Sequence, residues 1–250
     1  MTLNKESILN FNNITLVSID GSGKDTDSIK ALKYSSKDIN FKSILYITSG
    51  DYELNFGDTI KIPPLSSETY QHFCLTKLVD YIKTDYIILI QSDGFIINPQ
   101  KWTSKFLEYD YIGGPWPIEL LIGSLKYIPI VQELENKTKI ISNNKNGLVG
   151  NGGFTLRSKK LLQKTKELYK PEYFGIPEDN VISIIMRDEL ECSDIKIPYD
   201  IDFSSSFSCE SKYINGKIYS TDDSFGFHGR LPHPERISLL DSIDIKEIIL

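Results

Sequence analysis

The sequence predicts an α/β protein, a mainly parallel sheet covered by helices, in a single domain of two lobes. Three observations carry this expectation. Apolar runs of strand length alternate with helix-period segments through the first half. One of those runs, Asp85-Tyr-Ile-Ile-Leu-Ile-Gln-Ser-Asp-Gly94, ends in one carboxylate followed by glycine. The composition is that of an ordinary globular chain, with 250 residues, 40% hydrophobic and 25% charged positions, enough to bury one substantial core.

Taken in order, Asn13 to Ile19 reads as a first strand, closed by the turn formers Asp20-Gly-Ser-Gly23. Asp27 to Tyr34 follows as a short helix with Asp27 or Ser28 near its cap. Ser43 to Thr48 is a second strand. From about Ser67 to Ile82, Tyr70, Phe73, Leu75, Leu78, Val79 and Ile82 fall on one broad helical face. The Asp85 run is then a strand buried on both sides. Ligands of open α/β sheets bind beyond the carboxyl ends of the strands, so Asp93 is either a site residue or the cap of a turn. As a site residue it is suited to a hard divalent cation shared with a phosphate.

Asp20-Gly-Ser-Gly-Lys24 lacks the glycine-to-lysine spacing of a phosphate-binding loop and the hydroxyl residue after the lysine. Its place at a strand end nevertheless makes Asp20 a candidate for contact with a nucleotide base or ribose. The net charge of −6 supplies none of the clustered cations that nucleic-acid binding needs. Cys74, Cys192 and Cys209 are odd in number and lack metal-ligand spacing, which speaks against a disulfide framework. No segment reaches the roughly 18 apolar residues of a spanning helix, so a soluble, cytoplasmic protein is expected. The tail from Ile237 to Leu250 reads as an amphipathic helix docked on the core or on a partner.

The second half carries four further motifs. Tyr109-Asp-Tyr-Ile-Gly-Gly-Pro-Trp-Pro117 reads as a rigid loop offering Trp116 as a stacking surface or as a buried wall. Val149-Gly-Asn-Gly-Gly-Phe-Thr-Leu-Arg157 sets three glycines before a short strand and a helix from about Ser158 to Leu168. Asn151, Gly152 and Gly153 are placed for close backbone approach to a ligand. Pro177-Glu-Asp-Asn180 puts Glu178 and Asp179 in the first turn of an apolar helix, where acids also complement the dipole. Phe225-Gly-Phe-His-Gly229 frames His228 at another strand end, a structural histidine unless a partner makes it a ligand.

The ordered set, from Gln91-Ser92-Asp93 through Tyr109 to Trp116, Gly150 to Phe154, Pro177 to Asp179 and Phe227 to Gly229, resembles the nucleotide-sugar glycosyltransferases of the GT-A fold. The resemblance runs from about residue 13 to 230. It implies a Rossmann-related mixed sheet, with residues 13–94 as the nucleotide-sugar-binding half, 95–235 as the acceptor-binding and catalytic half, and 236–250 as a tail. The implied activity is transfer of a sugar from a nucleoside-diphosphate donor to a glycan or other hydroxyl acceptor, as in glycan biosynthesis, with peripheral membrane contact left open.

In that family an Asp-X-Asp motif holds a divalent metal, Mn or Mg. Here Gln91 replaces the first acid, which shifts weight onto Asp93 and a distal ligand, His228. The donor and acceptor are expected to meet Asp20, Gln91, Ser92, Asp93, Trp116, Asn151, Gly152 and Gly153. Transfer with inversion requires a base, for which Glu178 and Asp179 are the candidates, Asp179 preferred. A nucleotidyltransferase and a non-catalytic sugar- or nucleotide-binding protein are the alternatives.

Overall fold

Strand Leu9–Asp20 (β1) lies at the heart of a six-stranded sheet, and its register explains most of the architecture. The protein, in the form of a computed structural model, is described for residues 8–116, 136 and 148–250. β1 pairs in parallel with Ile39–Thr48 (β2) on one side and with Tyr86–Ile90 (β4) on the other. The short strand Asp58–Lys61 (β3) adds to β2, also in parallel. Beyond β4 the direction reverses: Phe154–Ser158 (β8) runs antiparallel to it, and Tyr111–Ile112 (β5) runs antiparallel to β8. The order is β3-β2-β1-β4-β8-β5, a mixed and mostly parallel sheet.

Side chains alternate between the faces of this sheet, as the two-residue period of a strand demands. Leu16, Ile88 and Ile90 pack on one face with Ile29 and Leu32 of the helix Thr26–Ser35 (α1), and with Phe106, Phe154, Phe207, Phe225 and Phe227. Val17, Leu45, Ile47, Ile87 and Leu89 point the other way, onto Phe73 and Cys74 of the helix Ser67–Thr76 (α2) and onto Leu162. Both faces are covered, which is why the Ile87 to Ile90 run is apolar throughout and wholly inaccessible to solvent.

Three local expectations are corrected, and one strand is added. The cap of α1 is Asp25, whose carboxylate accepts from the Asp27 and Ser28 amides; Asp27 and Ser28 are already helical. The helix expected to reach Ile82 ends at Thr76, and Leu78–Tyr81 tightens into a 3₁₀ turn. β3 was not visible in the pattern because its four residues carry one apolar side chain, Ile60. The tail is not one amphipathic helix. Pro234–Ile237 (a short helical turn) runs directly into the 3₁₀ turn Ser238–Ser242, and extended backbone at Ile243, with Asp244 capping the last turn, separates these from Ile245–Glu247. Leu240 and Ile248 still dock into the main core.

Between β5 and β8 lie Pro115–Trp116 (β6) and Leu148–Val149 (β7), an antiparallel pair. After β8, Ser158 caps the helix Lys159–Leu168 (α3) through the Leu161 amide. The Glu178–Asn180 turn (α4) opens directly into π-helical Val181–Ile185, followed by Arg187–Cys192 (α5); such π segments favour functional sites. Ile201–Phe207 (α6) leads into Ser208–Cys209 (β9), which, past the antiparallel pair Tyr213–Ile214 (β10) and Lys217–Ile218 (β11), pairs in parallel with Gly226–Phe227 (β12). No helix among the described residues is long and apolar enough to cross a membrane.

Candidate active site

β4 and β8 set the site's position. Because Ile90 is paired with Phe154 in an antiparallel register, the residues that follow Ile90 and those that precede Phe154 emerge together at one rim. Gln91 to Gly94 therefore stand opposite Gly152 and Gly153. Gln91 and Gly94 close their turn with reciprocal backbone hydrogen bonds of 3.1 and 3.2 Å. Ser92 and Asp93, both half-buried, lie within that turn.

His228 comes to the same rim through a second pairing. It follows β12 as Glu210 follows β9, and the Phe227↔Cys209 register places the two side by side. Glu210 Oε2 lies 2.8 Å from His228 Nδ1, and Asp93 Oδ1 lies 3.5 Å from Nε2. Burial alone would hold the imidazolium down; the Glu210 and Asp93 carboxylates reverse this and raise the ring to about 10. Asp93 is itself buried enough to resist ionisation, and its contact with His228 outweighs that and lowers it. Two glycines make room for the ring. A Cβ added at Gly153 would sit 2.0 Å from Nε2, and one added at Gly94 would meet Cδ2 at 2.8 Å.

One residue before Gly153, the Gly152 amide donates to Asp179 Oδ2 at 3.0 Å. A Cβ on Gly152 would meet Glu178 Oε1 at 2.5 Å. The two adjacent acids diverge. Glu178 is 4% exposed and accepts from the fully buried Arg157 Nη2 at 2.8 Å. Asp179 remains half-buried at the rim, its Oδ1 accepting from the Asn180 amide. Removal from water, and then the neighbouring Glu178 charge, push Asp179 up to about 7. A carboxyl group titrating there can hold or release a proton at neutral pH.

Arg157 braces this arrangement. Its Nε donates to Thr155 Oγ1, and its guanidinium lies over the Tyr111 ring. Tyr111 in turn donates to the Gly150 carbonyl at 2.6 Å. The Tyr109-Asp110-Tyr111 motif is thus part of the scaffold: Asp110 accepts from Ser158 Oγ and from the Lys196 amide. Arg157 and Glu210 were not singled out from sequence.

Other candidates stand in different relations to this rim. The Asp20 carboxylate accepts five hydrogen bonds, from the Ser22, Gly23 and Asp25 amides, Ser22 Oγ and the Tyr46 hydroxyl. It orders its own loop. Gly23, at φ +70°, packs on the Gly50 backbone. Asn151 Oδ1 accepts from the Gly153 amide at 2.8 Å and so shapes the glycine turn. Gln91 Nε2 donates to the Tyr70 hydroxyl. Trp116, half-buried, ends β6 opposite Leu148.

Among the described residues, no group of three or more His, Cys, Asp or Glu side chains could hold a metal ion. The rim offers two donors, Asp93 and His228 Nε2, with Glu210 holding the far ring nitrogen. With Nε2 unprotonated, this carboxylate and imidazole pair would suit Mn or Mg.

Residues 61–228 match the family model described as a protein of unknown function, DUF5672. The chain belongs to this family. The DUF5672 match ends at His228 and takes in every candidate named above except Asp20. No curated protein matches the chain in sequence. Among solved structures, the chain is similar to a glycosyltransferase involved in glycosylation of the major capsid of PBCV-1. Identity is 13%, the TM-score is 0.47, and 92% of this chain and 99% of that one are covered. It is also similar to the galactosyltransferase LgtC in complex with donor and acceptor sugar analogs, with 13% identity, 96% of both chains covered and a TM-score of 0.44.

Proposed function

We propose that the protein is an inverting glycosyltransferase, which moves a sugar from a nucleoside diphosphate to an acceptor hydroxyl. One observation carries the reading: consecutive glycines serve two chemically distinct groups. Gly153 packs under His228, beside Asp93, and Gly152 holds Asp179. Neighbouring Cα atoms are about 3.8 Å apart, so a diphosphate at the first group and an acceptor at the second fall within the span of one sugar. The ordered sequence motifs point to the same donor class.

In this reading Asp93 and His228 Nε2 hold Mn or Mg on the donor. When bound, the cation supplies charge neutralisation to the departing diphosphate. The acceptor oxygen attacks the anomeric carbon from the face opposite the diphosphate. The carbon–oxygen bond to the diphosphate breaks, and its electron pair leaves with the nucleoside diphosphate. Asp179 takes the hydroxyl proton, a task its raised pKa suits. Glu178 is committed to Arg157 and serves to set the Asp179 charge state and to anchor the turn. Trp116, Ser92 and Gln91 are the donor- and acceptor-facing residues of this proposal, with the Asp20 loop at the neighbouring strand end.

A thermal-shift panel of nucleoside diphosphates and nucleotide sugars, with and without manganese, tests this reading. A ligand that binds only the native state raises stability by mass action. The expected result is a manganese-dependent rise in Tm for one nucleotide class, with release of its diphosphate on turnover. No response from any nucleotide would contradict the proposal.

A further inference from the structure

We infer that Glu210 is a positioning residue, which fixes the His228 ring so that Nε2 alone faces Asp93 and a bound cation; this rests on the metal-assisted reading of the same rim. Glu210 belongs to none of the sequence motifs. It reaches His228 because two short strands pair in parallel, β9 with β12, and the chain places one functional residue immediately after each. The backbone repeats the link, with the His228 amide donating to the Cys209 carbonyl at 3.2 Å.

The ring is constrained on every side that matters. Gly94 and Gly153 lie against it, closely enough that either Cβ would overlap it. Glu210 Oε2, on a side chain 17% exposed, takes Nδ1 at 2.8 Å. A carboxylate on one imidazole nitrogen orients the other toward a metal and raises its basicity as a ligand. Glu210 is itself held. The buried His233 Nε2 donates to its carbonyl at 3.2 Å, and its Cβ packs where a side chain at Gly114 would stand, 2.8 Å away. The order of support therefore runs from His233 to Glu210 to His228 and then to Asp93. Rotation of the ring about Cβ–Cγ would exchange Nδ1 with Cδ2 and Nε2 with Cε1, turning a carbon toward Asp93, and the Glu210 contact is what opposes it.

The experiment is a titration of the intact protein with Mn²⁺ alone, following the free-ion EPR signal, for wild type, His228→Ala, Glu210→Ala, Glu210→Asp and Glu210→Gln, with Tm recorded for each. Glu210→Gln keeps an oxygen that can accept from Nδ1–H and should retain most of the affinity. Glu210→Asp keeps the charge but shortens the reach by one carbon. Asp and Ala variants should each lose about 10- to 100-fold in affinity, the usual cost of removing a residue behind a metal ligand. If Glu210→Ala fails to fold, the comparison of Asp with Gln decides. Wild-type affinity in Glu210→Asp, or a Gln variant as weak as Asp, would overturn the positioning role while a loss in His228→Ala left the site reading intact. Full Mn²⁺ affinity in His228→Ala, or none in wild type, would overturn both.

Discussion

Gly153 lies directly against the His228 ring, and a Cβ added there would sit 2.0 Å from Nε2. Glycine is needed at this position because of another part of the protein, since the backbone at Gly153 is not in the left-handed region. The sequence suggested glycines opened toward a ligand; the group they accommodate is an imidazole and, at Gly152, a carboxylate.

Gly153→Ala should drive the His228 ring away from Asp93. Overpacking of this kind costs about 1–3 kcal/mol, a modest fall in Tm. Manganese-dependent donor binding should fall far more, by tenfold or more on the scale of a lost ligand-orienting contact. Paired calorimetry and melting curves check this, and unchanged affinity with a large melting loss would reject it.

The buried Arg157–Glu178 pair makes a separate prediction about stability. Glu178→Ala leaves a guanidinium buried without its carboxylate, and breaking such a pair by removing one partner costs about 3–5 kcal/mol. Glu178→Gln retains an acceptor oxygen and should cost less by urea denaturation. It should also move the acid limb of the rate profile to lower pH, because loss of a like charge lowers Asp179.

Asp179 gives two pH dependences of opposite use. As a base it must be ionised, so transfer should rise with pH through about 7. For stability, a folded-state pKa above the unfolded value means that the native state binds the proton more tightly. The contribution is present below the unfolded value, near 4, and is lost as pH rises through about 7. The wild type should therefore lose stability across that window more steeply than Asp179→Asn, as read from urea midpoints at pH 5 and 8.

Asp20 has the opposite sign. Ser22, Asp25, Tyr46 and Gly23 all donate to it and outweigh burial, lowering its pKa. Its stabilisation should be present at neutral pH and lost as pH falls through that lowered value. Asp20→Asn should cost about 1–3 kcal/mol at pH 7 and progressively less in acid.

Long apolar runs with a clear period were legible in the chain, and so were the turns that end them. The Ile87 to Ile90 strand, the glycine turn before Phe154 and the α3 helix capped by Ser158 follow from local residue choice. Asp93, Gly152, Gly153, Asp179 and His228 were each visible as residues at strand or helix ends; the β4–β8 register, the β9–β12 pairing and the Gly152–Asp179 hydrogen bond bring them to one rim. Glu210 was not legible, because its meeting with His228 depends on two-residue strands whose pairing has no periodic signal. Arg157 was quoted only as the end of a strand motif; nothing local reveals that it is fully buried against Glu178. Asp20 looked available at a strand end, yet its carboxylate is occupied by its own loop through contacts with the next few residues and with Tyr46.

In the proposed mechanism Asp179 is the base of a sugar transferase whose donor is held by Asp93 and His228. The most direct measurement is single-turnover sugar transfer by Asp179→Asn, alongside its donor affinity by calorimetry in manganese, using the nucleotide sugar found in the thermal-shift panel. This role predicts donor affinity close to wild type and a transfer rate lower by about 10²–10⁴, the usual contribution of a general base. Transfer at the wild-type rate with donor bound would contradict it.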